Sequence, residues 1–597
     1  MFWLFVSLLP QTAQDFFDPG GECQYSGQIP MTRTDALRSR FPSRPTEAAR
    51  GFIARRFRID TRSLAAFRIF AGVLILVDIL LRIRSFDFFY TDLGVLPVET
   101  AWNLVPSNAF SVFLLSGDPI FTAALFVIHF LVAIQLILGY RTRFAIVVSF
   151  LFVVSLDYRN PMVTSYADVI FRHMLFWAMF MPLGARYSID ALRADGERPR
   201  TYTGLAGAFA LVQMISMYFV NGNQKLPWTD DWLNGNSMVA TLNYDSVAFF
   251  LASYVREFPL FLQVSGVTWF TLMLGSPVLL VLAGRARYLL AIPYAMGHLF
   301  LSVTVRIGAF PFTAILGLML FFQGAAWRDG RRIASWLDVP IERYYAAGVR
   351  FGERVDRRLP RIDRAVRSAR ERGAEIRRRE LGSELTARLP GREALGMTVR
   401  VAVAFIVVVS GVFMVIPNLQ TIGAIDDERA VPLQDEVEDT QSAFRLTQPP
   451  WNFYAGPITT DEYYVFAAET TGGTQVDAYN DRSLQWDRAY GSEQHRQFET
   501  YRHRFFMSSV VRRGESDRDR GVTEGYATYL CENYEFDGEE IRSIDMYAID
   551  ERTDIGNVTD YRSYDRNAVF LDSFGCGDVE HDEPITPPPE YEPVVGL

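Results

Sequence analysis

Apolar runs of about 18 residues recur between Ser63 and Phe322 and once more near Val401, whereas the last third of the chain is strongly polar. The runs predict nine helices, at 63–83, 119–139, 142–157, 163–183, 204–220, 260–282, 287–305, 309–323 and 399–416, several short enough to be tilted or partial spans. Between 324 and 398 the pattern turns to charged residues with sparse apolar ones at helical spacing, as in RVDRRLPRIDRAVRSARERGAEIRRRE. That predicts an amphipathic helix lying along anionic lipid headgroups, although a solvated helical linker has the same pattern. In the tail, DEYYVFAAET and TGGTQVDAYN predict a hairpin around Gly472 and Gly473, HRQFETYRHRFFMSSVV reads as helix, and PITPPPEYEPVV as a disordered end. The predicted fold is a polytopic all-α membrane bundle of about eight helices plus a ninth span, followed by a small α+β domain. Its parts are an N-terminal segment (1–62), the bundle (63–323), the Arg-rich segment (324–398), the last span (399–416) and the acidic domain (417–597).

Composition sharpens this division. The chain has 597 residues, 49% hydrophobic and 21% charged, too long for one ordinary domain and too apolar for disorder. From Gln420 on there are 37 acidic residues against 15 Arg, a net of −22 in a chain of −9, which leaves the preceding part at +13. Arginines crowd the loops after or before alternate spans: Arg55, Arg56, Arg58 and Arg62; Arg141 and Arg143; Arg186, Arg193, Arg198 and Arg200; Arg285 and Arg287. Short Arg-rich loops stay in the cytoplasm, so the N-terminus is expected to be cytoplasmic, the 84–118 and 221–259 loops outside, and the acidic domain extracellular. No groove-reading motif accompanies the arginines, so nucleic acid is not an expected partner. Lys225 is the single lysine among 59 basic residues. Near-exclusive use of Arg with an acidic tail fits a proteome adapted to high salt, as in a halophilic archaeon, and makes a lone lysine conspicuous.

The three cysteines, Cys23, Cys531 and Cys576, show no metal spacing, and the six histidines form no close pair with a carboxylate, so no metal is expected. Cys531 and Cys576 could pair in an exported tail or stay as free thiols. The opening MFWLFVSLLP lacks a basic flank and a small-residue cleavage site, which makes it a poor signal peptide and leaves Met31 as an alternative start.

Ionisable groups at membrane depth either pair or serve a site. Asp78 and Arg82 lie four residues apart on one helix face and, with Arg68, are expected to be structural ion pairs. Asp168 and Arg172, again four apart, read equally as scaffold or as cofactor-binding groups. His129 reads as packing. His298 precedes a break at Arg306-Ile307-Gly308, the kind of interruption that lines a cavity, and is a candidate catalytic residue. In NGNQKLPWTDDW, Asn221, Gln224 and Trp228 surround Lys225 at a helix end on the outer face. Burial disfavours an ammonium, so a desolvated lysine can give up its proton and act as a base, which Arg cannot; a lysine that only anchors a helix end is the plainer alternative.

SLAAFRIFAGVLILVDILLR with FYTDLGVLP, the LDYRNP…DVIFRHMLFWAMFMPLGARYSIDA stretch and YFVNGNQKL…W resemble the HTTM (horizontally transferred transmembrane) domain shared with the vitamin K-dependent gamma-carboxylases, over roughly Arg58 to Phe322. WNFYAGP resembles the segment that follows in bacterial and archaeal members. The resemblance implies a reduced vitamin K-type quinone, of menaquinol type, that loses a proton to neutral Lys225 and reacts with O2; the resulting alkoxide base removes a γ-proton from glutamate on an external protein or peptide, and the carbanion captures CO2. His298, followed by IGAFPF, also resembles a family stretch, and Asn221, Gln224, Trp228, Asp168 and Arg172 are the candidate cofactor-binding residues. The chain departs from the family where a histidine approaching the fourth span is matched by Asn160 and Pro161, and its tail is much shorter than in animal carboxylases. The competing reading is a non-enzymatic membrane scaffold or surface-protein maturation factor whose acidic tail binds a partner. A transporter ranks last, since no inverted repeat is visible.

Overall fold

The computed structural model describes residues 45–194, 196–359, 392–425, 434–514, 520–552, 565–581 and 583–591. The apolar opening with Cys23 and Met31, the densest Arg stretch (360–391) and residues 592–597 lie outside the described residues.

Helix α1 (Thr61–Ile83) starts where the Asp60 carboxylate accepts a hydrogen bond from the Arg62 amide, 2.9 Å. Its buried positions include Leu64, Phe67, Ala71, Ile75 and Ile79, at three- and four-residue spacing, while Val77 and Leu80 on the other side stay exposed. An outward apolar face of this kind suits lipid. Gly72 lets α1 approach α2 (Pro119–Leu138), since a Cβ there would lie 2.5 Å from Ile137 Cγ1.

The bundle continues with α3 (Thr142–Arg159), α4 (Tyr166–Ala178), α5 (Leu205–Asn223), α6 (Pro259–Gly275), α7 (Arg285–Thr304) and α8 (Phe310–Leu318). Past a sharp bend come α9 (Gly324–Trp336), α10 (Ile341–Arg358) and the long α11 (Arg392–Thr421). Each of the nine predicted segments is thus helical, though α4 and α8 are much shorter than predicted and α11 longer. Among the described residues, four helices are long and apolar enough to cross a membrane: α1, α2, α5 and the Arg400–Thr421 part of α11. The count is five if α8, with its short extension to Phe321, and α9 form one span bent by 105°. The others fall short for a physical reason. Helix α4 buries nearly every side chain, Asp168, Arg172 and His173 included, so it needs no apolar outer face. On α9 and α10, Ile333, Trp336, Leu337, Tyr344 and Phe351 are exposed, an amphipathic pair as the sequence predicts for this segment.

The Arg-bearing connections gather at one end. The Thr61 amide donates to Arg200 O (3.1 Å), Arg186 Nε to Thr61 Oγ1 (2.8 Å), the Arg141 amide to Asp190 (2.8 Å), and the Arg287 guanidinium to Arg56 O. The opposite end, where α1, α5 and α7 finish and α4 and α8 begin, is covered by the tail.

The tail folds around an antiparallel sheet of β1 (Thr460–Thr470), β2 (Gln475–Asp477), β3 (Arg482–Ser483), β4 (Glu535–Phe536), β5 (Glu539–Arg552) and β6 (Arg566–Gly575). The order is β3-β2-β1-β5-β4, with β6 also paired to β5. Gly473, at φ 82°, turns β1 into β2 as predicted. Helices α12 (Tyr501–Gly514) and α13 (Arg520–Asn533) complete the domain, and Cys531 and Cys576 form a disulfide with Cα atoms 5.5 Å apart.

Candidate functional site

The end of α5 carries the lysine. Gly222 sits against α6, where a Cβ would meet Met273 Cβ at 2.9 Å and the Leu274 amide nitrogen at 3.1 Å, so the two helices close on each other directly before Lys225. Asn221 is fixed by two hydrogen bonds from Nδ2, to Trp451 O (2.7 Å) and Phe453 O (2.9 Å). The same tail segment receives Lys225, whose Nζ donates to Phe453 O (3.1 Å) and Tyr454 O (2.6 Å), and Trp232 Nε1 donates to Ala455 O (2.8 Å). Trp451 and Tyr454 both adopt left-handed backbone, φ 49° and 50°, which costs non-glycine residues about 1 kcal/mol or more each and persists because these contacts hold the segment.

Lys225 is 1% exposed, lies 4.8 Å from the centroid of the Trp232 ring, and has no carboxylate partner among the described residues. Carbonyls stabilise an ammonium less than a carboxylate would. Burial therefore dominates and pulls the amine down to about 7.

Nζ faces a cavity of about 490 Å3 that is mostly apolar, within the usual size for a small-molecule site. His298 of α7 lines the same cavity: Nε2 is hydrogen-bonded to Tyr218 Oη at 2.7 Å, Nδ1 is buried with no partner among the described residues, and the ring meets Trp269 edge-on at 5.2 Å. Asn221, Met273, Phe310 and Phe453 contribute to the wall, and α12 adds Arg504, 5.4 Å over the Phe505 ring. Among the described residues, no carboxylate lines the cavity. Two cationic side chains in a mostly apolar space favour an anionic or acidic guest.

The structure thus brings Lys225, His298 and Asn221 to one cavity and does not bring the other expected cofactor-binding groups there. Asp168 caps α4 through Ser165 and belongs to an ion network in which Arg82 binds Asp78 (2.6 Å) and approaches Asp157 (3.4 Å) and Asp168 (3.5 Å). Arg172 pairs with Asp157 and donates to Arg445 O (3.2 Å). Arg502 of the tail closes the network on Asp78 (2.6 Å) and Asp168 (3.2 Å). Spacing along α4 shows that Asp168 and Arg172 share a face; it does not show that this face turns from the cavity. Gln224 caps α5 without lining the cavity, and Trp228 is 47% exposed, packed on Gly456. The Asp78–Arg82 pair forms, but among the described residues Arg68 joins no such pair and donates to the carbonyls of Leu183 (3.3 Å), Arg186 (3.4 Å) and Tyr187. Arg504 and Arg502 escaped the sequence reading because nothing distinguishes them among the chain's many arginines.

A helical bundle with several membrane-length helices suggests a membrane protein, and its buried lysine lines a mostly apolar cavity. The family model of the HTTM domain matches residues 57–327, the part of the chain that holds α1 to α8. No curated protein and no solved structure matches the chain.

Proposed function

We propose that this chain is a multi-pass membrane enzyme of the gamma-carboxylase-like class, in which Lys225 acts as the base that opens a quinone-dependent carboxylation of glutamate on an external substrate. The observation that carries the reading is a buried lysine with an amine near 7 sharing a mostly apolar cavity with His298. The cavity fits a reduced vitamin K-type quinone in size and chemistry: Trp269, Met273, Phe310 and Phe453 would pack its ring, and His298 Nδ1 has no partner among the described residues. Such a quinol, once bound, supplies with O2 the strong base that carbon-acid chemistry needs, and CO2 is the electrophile.

The protein's own part is narrower. Lys225 in its neutral form accepts a hydroxyl proton at Nζ, and the Phe453 and Tyr454 carbonyls hold the ammonium that results. Arg504 attracts the carboxylate of the substrate, and the tail segment 451–455 excludes water. The orientation proposed with it, N-terminus in the cytoplasm and tail outside, is supported by the gathering of Arg loops at one end and by the Cys531–Cys576 disulfide, which persists in oxidising compartments.

The test uses the purified full chain in lipid with reduced menaquinone, air and labelled bicarbonate, and follows quinone epoxide and label uptake. Wild type is expected to form epoxide, and Lys225→Arg to lose about 10²- to 10⁴-fold of the rate, as when a general base is removed. Equal activity in the variant would remove Lys225 from the chemistry. Epoxide without label uptake would keep the base and discard carboxylation.

A further inference from the structure

At the end of the bundle remote from Lys225 lies a second recess, of about 730 Å3, whose wall carries Arg62, Arg200, Arg328 and Arg331 among its arginines. Its single carboxylate, Asp60, is already engaged by Arg62 at 2.7 Å. The guanidinium groups of Arg200, Arg328 and Arg331 make no hydrogen bond or ion pair among the described residues. Arg62 and Arg331 also border an adjoining groove of about 520 Å3, walled by apolar side chains of α1, α8, α9 and the bend between the last two, Ala66, Ile315, Phe322 and Trp327 among them. Trp327 is fixed there, its Nε1 donating to Ser63 Oγ at 2.9 Å, with the Arg62 guanidinium 5.6 Å from its ring centroid. The sharp bend between α8 and α9 makes the corner in which recess and groove meet.

A solvated basic face needs no concave apolar continuation, and a free anion has no use for one. Unpaired guanidiniums at the mouth of an apolar groove match a molecule with a phosphate at one end and a hydrocarbon chain at the other. We propose that one anionic phospholipid binds at this corner, its phosphate among Arg200, Arg328 and Arg331 and an acyl chain along Ala66, Phe322 and Trp327. The lipid joins α9 to α1 and seats the amphipathic α9–α10 pair on the membrane surface. This inference rests on the membrane placement proposed above and is independent of the chemistry at Lys225.

The test is made on the full chain in detergent, by native mass spectrometry and thermal unfolding, with dioleoylphosphatidylglycerol, dioleoylphosphatidylcholine or inorganic phosphate added. Phosphatidylglycerol is expected to be retained at one per chain and to raise the unfolding midpoint, with phosphatidylcholine and phosphate ineffective. Removing three surface charges in the combined variant R200Q, R328Q and R331Q is expected to weaken retention on the order of a hundredfold. Ala66→Phe, which fills the groove and leaves the arginines, is expected to abolish it. Equal retention of phosphatidylcholine, or undiminished retention by the triple variant, would overturn the proposal. Protection by phosphate that survives Ala66→Phe would assign the recess to a free anion instead. Flotation of the wild type with phosphatidylcholine vesicles separates the two failures: loss of flotation sinks the membrane placement, whereas flotation without preference for phosphatidylglycerol sinks only the lipid site.

Discussion

Because burial brings the Lys225 amine to about 7, a reaction that begins with proton transfer to Nζ is expected to rise with pH through that value and to level off above it. Stability carries the same sign by a separate route. Between about 7 and the ordinary lysine value of 10.5 the unfolded chain binds a proton that the folded one does not, so stability gains with pH across that window. Lys225→Met is therefore expected to be more stable than wild type in mildly acidic buffer, with an advantage that shrinks as pH rises, measured by unfolding midpoints over a pH series. Arg504 should act on binding alone: Arg504→Gln is expected to raise KM for a carboxylate substrate about 10- to 100-fold at nearly constant kcat, the cost of one charged hydrogen bond. A split that falls on kcat instead would give Arg504 a part in the chemistry. At this scale the lysine was legible because its background made it rare, and His298 because a break follows it. Arg504 was not, since one Arg among dozens carries no signal until the fold turns it toward a cavity.

Among the elements, a close constraint next to the lysine is the contact of α5 with α6 at Gly222, whose missing Cβ leaves room for Met273 and the Leu274 backbone. Gly222→Val is expected to destabilise by about 1–3 kcal/mol, as overpacking does, and to dislodge Lys225 from the two tail carbonyls. A midpoint shift accompanied by an amine returning toward its ordinary value would show both effects. In the tail, the disulfide joins α13 to the end of β6 across 45 residues, and its reduction is expected to cost about 2–4 kcal/mol, read as an earlier melting step of the tail alone. Helix positions were legible in the sequence to within a few residues because apolar periodicity is local. Their lengths were read less well: α4 ends at Ala178, a few residues before Pro182, although the apolar run continues, and the 105° bend after α8 leaves no mark in a hydropathy profile.

For the molecule as a whole, what matters is how the acidic tail is held on the bundle. Arg502 meets Asp78 across 424 positions of sequence, a pairing that no local pattern can announce. Arg306 answers from the bundle, donating to the carbonyls of Phe498 (2.9 Å) and Glu499 (2.9 Å). Removing one partner of a buried pair leaves uncompensated charge, so Arg502→Ala is expected to cost about 3 kcal/mol and to expose the tail to protease while α1 and α5 stay protected. The same docking places the strained turn at Trp451–Tyr454 over the lysine. The consequence concerns inheritance of function. The oxygen atoms that receive the lysine's proton-bearing nitrogen belong to a stretch more than a hundred residues beyond the end of the matched HTTM domain at 327. A descendant that kept the bundle and shed this stretch would keep the family resemblance and lose the roof of the lysine's cavity, so the chemistry proposed above would travel with the pair of segments and not with the matched domain alone.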